Sequence, residues 1–167
     1  MNKKTLVLVV AVIALLIVAL PMVSAQAATP SAVGTLTITE TQINNSFRVT
    51  NPINRHITNV HVDLQSANGG QVEITGTYTW RTGHGTQSAN IAVVLVPVVS
   101  NGRLYWNVTS ITDNGQPASA DLVAEVNAHL AAAWRNYIKG KLPTGRIVSV
   151  TITDTEITFT YTPRYTA

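Results

Sequence analysis

The chain has 167 residues, 11% of them charged, and no cysteine. That length suits one domain, and the missing thiols exclude disulfides, zinc–thiolate sites and cysteine nucleophiles. Lys and Arg number 11 against 8 Asp and Glu; without Lys3 and Lys4 of the leader 11 becomes 9, which makes no electrostatic case for a nucleic-acid partner.

Residues 1–27 read as a signal peptide. Lys3 and Lys4 form a positive start, Leu6 to Leu20 is an unbroken apolar run, and Val23-Ser24-Ala25-Gln26-Ala27 offers small-residue cleavage sites. An uncleaved N-terminal anchor is the alternative, because Leu6 to Val23 runs about 18 residues, enough to span a bilayer. Either way the domain is expected outside the cytoplasm, secreted or in the cell envelope. Residues 28–34 are small and polar and read as a flexible leader, leaving 35–167 as a single domain.

Leu36 and Ile38 alternate with threonines in a first short strand. Thr39-Glu40-Thr41-Gln42 has the form of a capping box opening a short helix through Ile43 and Phe47, closed by Asn51-Pro52. A four-strand meander follows. Val60, Val62 and Leu64 alternate with His61 and Asp63, and Asn68-Gly69-Gly70 turns the chain. Val72, Ile74, Tyr78 and Trp80 share one face of the next strand, and Arg81 to Gly85 reads as a loop. The run Ile91 to Val99 is apolar on both faces, as for a strand covered on both sides. Pro97 marks an edge position or a bulge within it. Asn101-Gly102 is a strong hairpin signal, leading to a strand in which Leu104, Trp106 and Val108 alternate with polar residues.

The stretch from Gly115 to Gly145 is the one long helical pattern. Ser119 serves as N-cap and Asp121 sits in the first turn. Leu122, Val126, Leu130, Ala133, Trp134, Tyr137 and Ile138 form a broad apolar stripe, and Gly140 and Pro143 end the helix. Two strands then pair across Asp154-Thr155, with Val148, Val150 and Ile152 on one face. The expected fold is α+β: a curved, mainly antiparallel sheet packed on one long helix.

No catalytic constellation emerges. His56 and His61 point to opposite faces of a strand, His84 lies in a loop and His129 on the helix, with none of the spacings of a metal site. No metal, cofactor or catalytic residue is expected. What remains is an excess of apolar surface. It is either a well-filled core or a curved sheet around a helix with an apolar cavity.

The run KLPTGRIVSVTITDTEITFTYT, the opening TLTITETQINNSF and the central VSNGRLYWNVTSITDNGQPAS resemble the LmeA-like family of secreted phospholipid-binding proteins. The resemblance implies a tubular-lipid-binding type of fold and an envelope role in holding or moving lipids. By position it implies a lining of Val72, Ile74, Ile91, Val93, Leu95, Leu104, Trp106, Leu122, Val126, Leu130 and Trp134. Arg135, Lys139, Lys141 and Arg146 cluster and are candidate headgroup contacts, and a peripheral contact with anionic membrane lipid stays open. The leading expectation is therefore an exported, non-enzymatic binder of lipid or another hydrophobic ligand. The alternative is an extracellular structural or interaction module that assembles through sheet edges. The oligomeric state is not legible.

Overall fold

A computed structural model describes residues 33–50 and 55–164. The expected signal segment, nearly all of the expected leader, and the Asn51-Pro52 helix stop lie outside them. Within the described residues β1 (Gly34–Thr39) is followed by α1 (Glu40–Ser46), then β2 (Arg55–Gln65), β3 (Gln71–Thr82), β4 (Gly85–Ser100) and β5 (Arg103–Asp113). A two-residue strand, β6 (Gln116–Pro117), precedes the long helix α2, which runs from Ala120 to Lys141; β7 (Gly145–Ile152) and β8 (Glu156–Pro163) close the chain. The fold is α+β, as the pattern predicts.

All strand pairs are antiparallel and fall into two sheets, β1-β8-β7 and β2-β3-β4-β5-β6. Strand β7 begins at the β4–β5 turn, where the Ile147 N–H donates to the Gly102 carbonyl at 3.0 Å. It ends at the β2–β3 turn, where a Cβ added to Gly70 would meet Ile152 at 2.9 Å. The small sheet therefore crosses the end of the large one. Helix α2 lies over the inner face of the large sheet, and α1 closes a side.

Both helix starts follow their sequence signals. Thr39 and Gln42 exchange side-chain and backbone hydrogen bonds in a complete capping box, and the Ser119 hydroxyl accepts from the Leu122 N–H at 3.4 Å. Gly140 lies inside the last turn and does not end the helix; Leu142 is the residue that leaves helical geometry. The middle of α2 contains an unexpected π turn over Asn127–Ala131. Its cause is visible in the apolar spacing. Leu122, Val126, Leu130, Trp134 and Ile138 are all buried and recur every fourth residue. On a 3.6-residue helix each such step overshoots by about 40°. Four steps would swing Ile138 about 160° away from Leu122, and one wider turn recovers much of that drift.

Three bulges interrupt the ladders, in β2, β5 (at Thr109) and β7, and those in β2 and β7 displace the expected alternation. In β2 the register slips between Thr58 and His61, where Asn59 has a φ of 52°, so Ile57 joins Val62 and Leu64 in the core. In β7 the slip between Ile147 and Ser149 buries Ile147 and turns Val148 out, 54% exposed; Val148 does not share a face with Ile152. In β4 Ala89, Ile91, Val93 and Leu95 are buried while Ala92, Val94 and Val96 on the other face are only partly covered. The strand is covered fully on one side, not on both. Pro97 does occupy an edge. β3 begins at Gln71 and pairs Val72 with Leu95, so by alternation the missing N–H of Pro97 points where β3 has already ended. The expected 81–85 loop shrinks to Gly83-His84, because β3 and β4 pair as far as Thr82 and Gly85.

Candidate functional site

The inward residues form one continuous core. Of the expected lining, Val72, Ile74, Val93, Leu95, Val126, Leu130 and Trp134 are 0% exposed, with Ile91, Trp106 and Leu122 at most 8%. Leu104 packs against this core and is half-buried. Trp134 sits at the centre of an aromatic cluster: its ring meets Trp106 edge-on at 5.3 Å and Phe47 at 5.7 Å, and stacks on Tyr137 at 6.0 Å. The indole N–H groups of Trp106 and Trp134 are buried without a hydrogen-bond partner. Each carries the cost of a donor removed from water with no acceptor in return.

Where the sheet meets the C-terminal half of α2, an open groove of about 640 Å³ forms. Leu104, Trp106, Ile138, Leu142, Pro143 and Ile147 give it an apolar floor, while Arg103, Arg135 and Lys139 supply its charge; no carboxylate lines it. Arg146 lies beside it, with its Nε 3.0 Å from where a Cβ on Gly102 would stand. The groove thus brings together two expected lining residues, Leu104 and Trp106, with two expected headgroup contacts, Arg135 and Lys139. Lys141 is placed differently, with its ammonium 5.4 Å from the Tyr137 ring centre. Leu122 lines a separate groove at the other end of α2, beside Tyr78, Trp80, Asp113 and Asp121. The remaining expected lining residues touch neither groove.

Sequence reasoning passed over Arg103, Tyr105, Ile138, Leu142, Pro143 and Ile147 as site residues. The available signal was the Asn101-Gly102 hairpin, which fixes Arg103 and Tyr105 at a strand tip. The approach of β7 to that tip is tertiary and leaves no local mark.

The sheet edges are treated unequally. Along β2 the outward N–H groups of Val62, Leu64 and Ser66 are all taken by side-chain oxygens: Asn44 Oδ1 at 2.8 Å, Glu40 Oε2 at 2.8 Å and Asp154 Oδ1 at 2.7 Å. The Asn44 amide also donates to the Val62 carbonyl at 2.8 Å, so one side chain imitates a ladder residue. This blocks the C-terminal half of the edge against another strand. Strand β5 differs. The two-residue Asn101-Gly102 turn, positive in φ at both positions, makes Ser100 and Arg103 the first bonded pair. Alternation then directs the peptide groups of Leu104, Trp106 and Val108 away from β4. β6 covers only Thr112 and Asp113, and no backbone partner among the described residues meets the other three.

The hydrogen bond from the Ser66 backbone holds the Asp154 carboxyl below its ordinary value of 3.8, with the Ser66 side chain adding to the shift. A depressed folded-state pKa adds stability above the unfolded value and loses it as pH falls through the folded one. Acid unfolding below pH 3.8 is expected to be less steep in Asp154→Asn than in the parent. Equal pH slopes in urea titrations would exclude a role for this contact.

Among the described residues no group of three or more His, Asp or Glu could hold a metal, and no helix is long and apolar enough to cross a membrane. His129 pairs with Glu125 at 3.5 Å along the helix. Comparison with protein-family models, curated proteins and solved structures returns no significant match.

Proposed function

We propose that the protein is an exported, non-enzymatic binder of lipid or another hydrophobic ligand carrying an anionic group, with the groove between β5 and the end of α2 as its point of entry. The observation that carries this reading is the composition of the groove, an apolar floor under a rim of cations without a carboxylate. An alkyl chain gains about 25 cal/mol per Å² of surface removed from water there. A carboxylate or phosphate finds guanidinium groups suited to charge-assisted pairing. The resemblance of the chain to the LmeA-like family points the same way. A ligand larger than one chain has to lift α2 from the sheet, because the side chains expected to line a cavity pack against one another.

Native mass spectrometry of the protein purified from its own envelope without detergent tests this. A co-purifying mass in the lipid range that leaves on organic extraction is the expected result. Lys139→Glu, at an exposed position, is expected to weaken a fluorescent fatty acid about tenfold, as loss of one charged hydrogen bond does. A bare protein that also fails to bind the fatty acid removes the proposal.

A second reading, a module that assembles through sheet edges, has one observation of its own. The open peptide groups of Leu104, Trp106 and Val108 offer a ladder to an extended segment, while β2 is capped from Val62 onward. Concentration-dependent light scattering from a ligand-free protein favours it.

A further inference from the structure

One end of the domain gathers six cations. Arg103 stands at the tip of the β4–β5 hairpin, Arg135, Lys139 and Lys141 on the last turns of α2, and Arg146 at the start of β7. Arg164 joins them after β8, where its N–H donates to the Thr144 carbonyl at 3.5 Å. All six but Arg135 are exposed. Carboxylates sit elsewhere: Asp113, Asp121 and Glu125 border the groove at the opposite end of α2, and Asp154 and Glu156 lie at the far end of β7. Glu73 is opposite Val94 and Asp63 opposite Glu73, behind the part of the hairpin that overruns β3.

The same end carries bare apolar side chains. Val98 and Tyr105 are cross-strand partners on the outward face of the overhanging hairpin, 38% and 48% exposed. Val148 is turned out by the β7 bulge, next to Ile147 in the groove wall. A cation cluster alone suits any polyanion. Cations surrounding a protruding aliphatic and tyrosine tip suit a headgroup layer, where charge meets phosphate and the apolar atoms pass below it. Tyrosine has the amphipathic ring favoured at that depth.

We propose that this end of the domain is a docking face for the surface of an anionic lipid bilayer, with Val98, Tyr105 and Val148 entering the headgroup layer. The groove then opens toward the membrane. The inference goes beyond ligand binding and does not depend on the groove being filled.

The test uses the compact unit Ser31–Ala167, whose core is closed within itself, and removes the apolar leader that would bind vesicles unaided. It is expected to sediment with vesicles of phosphatidylglycerol and phosphatidylcholine, not with phosphatidylcholine alone, and to release as salt rises. Lys139→Glu with Lys141→Glu is expected to lower partitioning at least about twenty-five-fold, at roughly fivefold per cation near an anionic surface. Arg81→Glu, at the opposite end, changes net charge by one such reversal and is expected to leave binding within about twofold, because its site is farther than a Debye length from the surface. Tyr105→Trp is expected to gain a blue-shifted emission on anionic vesicles relative to the parent. Equal binding to both vesicle types, an equal loss per charge in Arg81→Glu, or no emission change in Tyr105→Trp overturns the proposal. Binding to soluble polyglutamate as tight as to anionic vesicles also overturns it, in favour of an acidic protein partner. Circular dichroism of each variant separates loss of docking from loss of fold, and fatty-acid binding by the unsubstituted protein in the absence of vesicles separates this failure from that of the ligand reading.

Discussion

Replacing Trp134 by alanine is expected to lower the unfolding free energy by about 3–5 kcal/mol, a large part of the roughly 5–15 kcal/mol that holds a typical domain folded. The side chain is 0% exposed and is the common partner of Phe47, Trp106 and Tyr137. Its removal leaves a void where three rings meet, and each ring pair loses about 0.5–1.5 kcal/mol beyond area burial. The chemistry of the indole makes the expectation sharper. Its N–H is buried with no acceptor, so Trp134→Phe discards part of the ring volume and also an unsatisfied donor that costs about 1–3 kcal/mol. The phenylalanine variant is therefore expected to be much less damaged than the alanine one. Urea denaturation measures both; similar midpoints for the two variants would show that packing around Trp134 is not what the ring contacts imply.

The second large effect is expected at Asn44. Its side chain satisfies both the N–H and the C=O of Val62, each at 2.8 Å and in a partly buried setting. Asn44→Ala strands two backbone groups together, a loss of about 2 kcal/mol or more. It also uncovers an edge that Glu40 and Asp154 alone cover only in part. Reduced stability should therefore come with association that grows with concentration, since an uncapped edge recruits another strand. Asn44→Asp keeps the acceptor for the Val62 N–H and loses the donor, so it is expected to fall between the two. Equilibrium denaturation and light scattering together decide it. If stability drops and the protein stays monomeric at all concentrations, Asn44 is a local staple and not an edge guard.

These contacts explain which features were legible in the chain. Turn chemistry acts over a few residues, so the Thr39 capping box, the Ser119 cap and the Asn101-Gly102 hairpin could be read directly and appear where expected. Period-two alternation gave the inward faces of β3 and β5, whereas β4, apolar on both faces, carried no such mark. Bulges did not announce themselves: each costs one residue of phase, and that residue reversed Val148. The π turn was present in the sequence as strict fourfold spacing from Leu122 to Ile138, which a 3.6-residue helix cannot keep on one face. The candidate site was half legible. Arg135 and Lys139 stood out as a basic helix end, and Leu104 and Trp106 as inward apolar residues. Alternation reports a face and not a volume, so it could not tell a packed interior from a hollow one. Nor could it show that β7 carries Arg146 and Ile147 to the tip of β5.

The pairing of β1 with β8 has a bearing on when the domain can form. Gly34 lies opposite Tyr161 and Ile38 opposite Ile157, so the first strand has no ladder partner until nearly the whole chain is available. The meander β2 to β5 can assemble from neighbours, but the small sheet must wait for a contact spanning more than 120 residues, as in the 3.1 Å Thr37–Thr158 hydroxyl pair. Such remote closure slows folding. A chain that emerges from its N-terminus would thus complete its small sheet only after its last strand had appeared, whatever the meander had formed before then. The same adjacency puts the two ends of the folded domain side by side, so its polypeptide could be rejoined there and reopened at a hairpin without altering a single layer.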